Sequence, residues 1–210
     1  EIELENKLML NNYLFLMFKI ITNPLEKEDY YEARTNDLNN SVKSSKKVVQ
    51  LLGSGTILRE SIAAAELLKK EFGVIADIWS VTSFNMLRKD GIDKQRFNEL
   101  NPDLPSKVSY VEECLSNESI PVIASTDYMR AYPEQIRSYI KAPFYTLGTD
   151  GYGRSDSREK LREFFEIDAN NIARMVSYAL FKKGAITKTE INKIYKKFKV
   201  NPAKPNPWEV

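Results

Sequence analysis

The chain has 210 residues, with 31 Lys and Arg against 29 Asp and Glu and a formal net charge of +2. So near a balance gives no electrostatic case for nucleic acid or an anionic membrane as partner. Apolar residues make up 42%, enough for a real core, and the length suits one domain with or without an extension.

There is no histidine. That excludes a Ser-His-Asp triad and a His-ligated zinc, and it removes the usual acid–base group near neutral pH. The single cysteine, Cys114, cannot form an internal disulfide. It fits a reducing, cytoplasmic compartment and reads as a small buried hydrophobe rather than a nucleophile.

Leu8 to Ile21 is the one membrane candidate in the sequence, but it is too short to span and is interrupted by Asn11, Asn12 and Lys19. Its flanks lack the marks of a signal peptide. It reads as a buried helix or strand pair, adhesive if its packing partner is missing. Pro24 to Lys47 is polar and reads as a linker or loop, with a domain boundary at about residue 46. Residues 1–46 are thus an extension, and 47–210 the domain.

From there strands and helices alternate. Val48 to Leu52 is a buried strand, and Ile57 to Phe72 has helical spacing closed by Gly73. Ala76 to Val81 is a second strand. Phe84 to Leu100 divides into a short helix and a turn, and Val108 to Leu115 is helical. Pro121 to Ser125 is a third strand, Tyr128 to Ile140 a helix broken or kinked at Pro133, and Pro143 to Leu147 a fourth strand. Asp168 to Lys183 and Lys188 to Phe198 are the last helices. This order predicts an α/β fold, a mostly parallel doubly wound sheet with helices on both faces.

Ligands of such sheets sit beyond the carboxyl ends of the strands. Three strand ends carry distinctive loops: Gly53-Ser54-Gly55, Ser125-Thr126-Asp127, and Gly148 to Ser157. Together they form one expected rim, with Asp127, Asp150, Gly151, Gly153, Arg154, Asp156 and Arg158 as candidate rim or interface residues. Gly53-Ser54-Gly55 lacks the third glycine of a dinucleotide fingerprint and the Gly-Lys-Thr/Ser of a P-loop, so it reads as a strand-to-helix turn. Asp127 and Asp150 form a carboxylate pair if they approach each other, though surface hydrogen bonding is the commoner role. Arg154, Arg158 and Arg162 recur four apart and share one face if helical. An arginine face binds carboxylate or phosphate. Internal pairing with Asp150, Asp156, Glu159 or Glu163 is the plainer reading. Ser155 or Ser157 is the expected helix cap.

Beyond these features, the sequence resembles a known family. Val49-Gln50-Leu51-Leu52-Gly53-Ser54-Gly55, Ile57-Leu58-Arg59-Glu60 and Ala63 to Ala65 carry the likeness, followed by Trp79-Ser80-Val81-Thr82-Ser83-Phe84 and Arg88-Lys89-Asp90-Gly91. It continues through Ala124-Ser125-Thr126-Asp127-Tyr128-Met129, Leu147 to Arg162, Phe164-Phe165-Glu166-Ile167-Asp168-Ala169 and Asn206-Pro207. In order and spacing these are similar to the C-terminal domain of homodimeric, thiamine-diphosphate-dependent pyruvate dehydrogenases, the domain shared with transketolase. Residues 1–45 show no such likeness. With the family's two larger preceding domains missing, the chain reads as a fragment, a processed product or a remnant.

The resemblance implies an enzyme that decarboxylates pyruvate on thiamine diphosphate with magnesium and passes the acetyl unit to the lipoyl group of dihydrolipoyl acetyltransferase. It places the cofactor ligands and active-site histidines in the other domains. It gives this domain a packing and dimer-forming role, with no catalytic, cofactor-binding or metal residue carried over and no activity expected of the chain alone. Thr149-Asp150-Gly151 and Asn170-Asn171 imitate the family's magnesium motif, but Thr149 stands in place of Gly and the gap is too short. Asn170 and Asn171 also fall at a helix start, where an Asn is readily a cap. The expected partners are the remaining pyruvate dehydrogenase domains and a second subunit. The alternative is a stand-alone assembly or regulatory module without catalysis, binding a small anion at the glycine-rich rim or a partner through its exposed face.

Overall fold

The computed structural model describes residues 17–20 and 47–210. Pro24 to Lys46 of the expected linker, and the part of Leu8 to Ile21 outside Met17–Ile20, lie outside the described residues. The elements are β1 (Met17–Ile20), β2 (Val48–Ser54), α1 (Leu58–Phe72), β3 (Ile75–Val81), α2 (Phe84–Leu100) and α3 (Tyr110–Cys114). Then come β4 (Val122–Ser125), α4 (Ala131–Glu134), β5 (Phe144–Leu147), α5 (Arg158–Phe164), α6 (Ala169–Lys182) and α7 (Lys188–Lys197).

The strands form one sheet in the order β1-β3-β2-β4-β5, parallel throughout except for the antiparallel edge strand β1. The doubly wound α/β expectation is met. On one face Leu51, Ile123 and Leu147 pack against Ala64 and Leu68 of α1, Val176 of α6 and Ile194 of α7. On the other, Leu52, Val81, Ala124 and Phe144 pack against Leu87 of α2, Val111 of α3 and Ile136. The buried Gln50 carries a polar group into this second core, and Trp79 satisfies it by donating Nε1–H to Gln50 Oε1 at 2.6 Å.

Strand β1 comes from the segment read as an extension. Met17 is fully buried, Tyr110 donates its hydroxyl to the Met17 carbonyl at 2.8 Å, and Lys19 pairs with Asp77 at 2.5 Å.

Two helix expectations need correction. Phe84 to Leu100 is one 17-residue helix, not a short helix and a turn. Ser83 caps it by accepting from the Met86 N–H. Gly91 stands mid-helix because the Tyr139 ring packs there: a Cβ would lie 2.4 Å from that ring. Tyr128 to Ile140 is only a single helical turn at α4 and a 3-10 turn at Arg137–Tyr139. Pro133 has no N–H to offer the Met129 carbonyl, and the Tyr132 N–H takes that carbonyl instead. The segment is tied to β5 by Arg137, which donates to Glu134 at 2.8 Å and to the Phe144 carbonyl at 3.0 Å. The Arg137 hydrogen bond holds the Glu134 carboxyl below the usual range.

Candidate functional site

A crevice at the carboxyl ends of the strands follows from the topology. After β2 the chain leaves to the α1 face, and after the neighbouring strand β4 it leaves to the opposite face through α4. Diverging loops at such a switch point open a cleft between them. The three loops expected to share a rim do share it.

Gly53 allows the turn from β2, since a Cβ there would lie 2.7 Å from the Leu58 Cα. The turn is therefore dictated by strand–helix packing, in line with the plain reading of Gly53-Ser54-Gly55. Thr56 then donates to Asp127 Oδ2 at 3.3 Å, and Thr149 donates to the Asp127 carbonyl at 2.7 Å. The Thr149 N–H meets the Tyr128 carbonyl at 2.9 Å, which brings the two loops so close that Gly148 has no room for a Cβ. Between them lies a cleft of about 820 Å³. Thr56, Asp127, Thr149 and the loop from Gly151 to Arg154 form its upper wall, with Asp156, Arg158 and Arg162 beside it. Its apolar lining is Ile57, Leu161, Phe165 and Ile167.

The charged rim residues divide by partner. Asp150 accepts from the Arg130 N–H at 3.0 Å and pairs with its guanidinium at 3.4 Å. Asp127 is engaged by Thr56 instead. The two carboxylates thus have separate partners and do not act as a couple. Asp156 accepts from the Ser157 N–H at 2.6 Å, and Ser157, rather than Ser155, caps α5 through Lys160 N–H.

The arginines behave differently from one another. Arg162 pairs with Glu60 at 2.7 Å and reaches Thr56 at 3.2 Å. Its carboxylate lies 102 residues away on α1, and none of the nearby acids suggested by the sequence takes that place. Glu60 also accepts from the Ala169 N–H at 3.0 Å, so one carboxylate joins α1, α5 and the start of α6. Arg154 lies over the Phe164 ring, 4.4 Å from its centroid. Arg158 is exposed on the first turn of α5. Neither Arg154 nor Arg158 has a carboxylate partner among the described residues.

The C-terminal tail braces the same loop. Lys204 donates to the Glu163 and Phe164 carbonyls at 2.9 and 3.0 Å, closing the end of α5. Trp208 packs on the backbone of Gly151 and under the Arg130 guanidinium. Thr149 and Tyr152 belong to the expected Gly148 to Ser157 loop without having been singled out in it, Arg162 to the expected arginine face, and Thr56 lies just outside the expected loops. Thr56 was within reach, as it directly follows Gly53-Ser54-Gly55. The Glu60–Arg162 pair has no local signal.

The residues resembling a magnesium motif do not fit that ion. Asp150 is held by Arg130. Asn171 donates to Asp168 and accepts from Arg174 at 3.0 Å, on a separate cleft beside α6. The Asp150 and Asn171 oxygens already serve other donors, and neither Asn170 nor Asn171 caps α6. Asp168 does so, accepting from the Asn171 N–H at 3.1 Å.

Among the described residues no helix is long and apolar enough to cross a membrane. Residues 38–168 match a family model described as the transketolase-like TK C-terminal domain. The pyruvate dehydrogenase E1 component of Pseudomonas aeruginosa is 50% identical over 173 residues, 82% of this chain but 20% of its own length. That of Escherichia coli K12 is 45% identical over 168 residues, 80% of this chain and 19% of its own length. A transketolase from Leishmania mexicana superposes on 80% of the chain and 18% of its own, with 16% identity and a TM-score of 0.47. The chain spans about a fifth of the length of the curated relatives it matches.

Proposed function

The chain belongs to the transketolase-like C-terminal domain family, and on that premise we propose that it is the C-terminal domain of a cytoplasmic pyruvate dehydrogenase. The 50% identity to the Pseudomonas aeruginosa E1 component carries this reading. The whole enzyme would release carbon dioxide from pyruvate and pass the acetyl unit to the lipoyl group of dihydrolipoyl acetyltransferase. Thiamine diphosphate and magnesium would be held by its other domains. We assign residues 47–210 to the domain proper and 1–46 to an extension that contributes β1.

The role of this domain would be to pack against those domains and a second subunit. Its exposed side chains support that reading. Tyr128 and Met129 are 60% and 52% exposed at the end of β4, beside Tyr132, with Tyr152 and Trp208 on the adjoining loop and tail. A cluster of large apolar side chains on one rim marks an interaction face.

The test is a chimaera. In the Pseudomonas aeruginosa E1 component, the matching C-terminal stretch is replaced by residues 47–210, and acetyl transfer from pyruvate is assayed. Activity is expected in the chimaera, with none in the isolated chain and no thiamine diphosphate binding to it by calorimetry. An inactive but folded chimaera, or micromolar thiamine diphosphate binding by the isolated chain, overturns the proposal.

A further inference from the structure

The cleft between the β2, β4 and β5 loops adjoins the packing face proposed above, with Tyr152 common to both, and its chemistry is selective. Arg154 and Arg158 line it without carboxylate partners among the described residues, while Arg162 is already held by Glu60 and Thr56. Arg154 is fixed by its stacking on Phe164 rather than by an anion. A guanidinium held in place by an aromatic ring keeps its donor edge open and loses little freedom on binding.

Below them the wall changes character. Ile57, Leu161, Phe165 and Ile167 line the floor, and Asp127 offers an acceptor beside the hydroxyls of Thr56 and Thr149.

We propose that this cleft binds an organic phosphate monoester. Arg154 and Arg158 take the phosphate oxygens, since planar guanidinium forks match them two at a time. The apolar body of the ligand rests on Ile57, Leu161 and Phe165. The volume of about 820 Å³ suits such a small molecule and matches ordinary ligand clefts. The position is also where doubly wound sheets place their ligands, at the switch between β2 and β4. Nothing in this site depends on which enzyme the domain serves.

The experiment is calorimetry on the full 210-residue chain with three probes: inorganic phosphate, phenyl phosphate and phenol. Phenyl phosphate is expected to saturate one site, several-fold tighter than inorganic phosphate because of the apolar floor. Phenol is expected not to bind. Arg154→Gln and Arg158→Gln each weaken phenyl phosphate by at least about tenfold. Arg59→Gln, an exposed cation on α1 outside the cleft, leaves it unchanged. Both cleft arginines are exposed, so their loss keeps the fold, as thermal unfolding would verify. No saturable binding by either phosphate overturns the proposal. So does binding that survives both substitutions, or binding weakened equally by Arg59→Gln.

Discussion

Glu60 joins three helices around the cleft, so its removal is a sharp test of how the arginine loop is held. Its two oxygens accept one hydrogen bond each, from Arg162 at 2.7 Å and from the Ala169 N–H at 3.0 Å. The side chains of Arg162 and Glu60 are 15% and 20% exposed, so solvent screens the pair only in part. Hydrogen bonds with a charged partner contribute about 1.5–3 kcal/mol each, and the lower figure suits this partial exposure. Glu60→Ala should then cost about 3 kcal/mol, because both bonds go and the Arg162 guanidinium is left without its carboxylate. Arg162→Ala removes one bond and leaves the other, for about 1.5 kcal/mol. The double variant should cost no more than Glu60→Ala, which gives a coupling of about 1.5 kcal/mol. Urea unfolding reads this directly: with a slope of about 2 kcal/mol/M, Glu60→Ala moves the midpoint by about 1.5 M and Arg162→Ala by about half that. Additive single losses, or a Glu60→Ala loss below about 0.5 kcal/mol, would refute the bridge.

Two further outcomes follow from local geometry. Gly91→Ala gains helix propensity of about 1 kcal/mol, but its Cβ would lie 2.4 Å from the Tyr139 ring, so a net loss of stability is expected. Thermal unfolding of Gly91→Ala should fall below wild type and recover in Gly91→Ala with Tyr139→Ala; a rise in the single variant would remove the packing account of Gly91. At the other end of the domain, Glu190 is pulled from 4.5 down to about 2, first by the Lys47 ammonium and then by the Thr187 N–H and hydroxyl. A depressed folded-state value means the pair stabilises the fold above pH 4.5 and is lost as pH falls through 4.5 towards 2. The acid-induced drop in unfolding temperature across that window should shrink in Glu190→Gln, and a carboxyl-carbon titration midpoint near 4.5 would count against the assignment.

Short-range chemistry was readable in the sequence. The β2 strand, the α1 helix and its Gly73 stop depend on apolar period and on one left-handed residue, φ 64°, and all three are found. The rim of three loops was legible for a similar reason, because parallel topology puts every strand's carboxyl end on one side. What escaped were contacts between distant segments. The stretch Phe84 to Leu100 reads as a short helix and a turn until Tyr139, far along the chain, is placed against Gly91 in its middle. Pro133 reads as a kink in a long helix, but the Arg137 bonds to Glu134 and the Phe144 carbonyl favour two short turns against β5. The acids near Arg162 in sequence are its plainest partners, yet the carboxylate it pairs with is Glu60 on α1.

The same distinction changes what the glycine-rich loop means. Gly148, Gly151 and Gly153 together suggest a loop shaped for a ligand. Yet Gly148 is required by the Tyr128 carbonyl, 2.6 Å from where its Cβ would lie, and Gly151 by its φ of 104°, with the Trp208 Cα 3.0 Å from where its Cβ would lie. Two of the three are explained by the approach of the β4 loop and the C-terminal tail. A Cβ on Gly153 would meet nothing within 4 Å. The chemical character of the loop therefore rests on its arginines. Arg154 and Lys204 both lie over the Phe164 ring, at 4.4 and 5.9 Å, so the loop and the tail that braces it meet on one aromatic side chain. Packing places Gly148, Gly151 and the stacked Arg154, and it leaves Arg158 and the open donor edge of Arg154 as the charged part of the signature that packing does not explain.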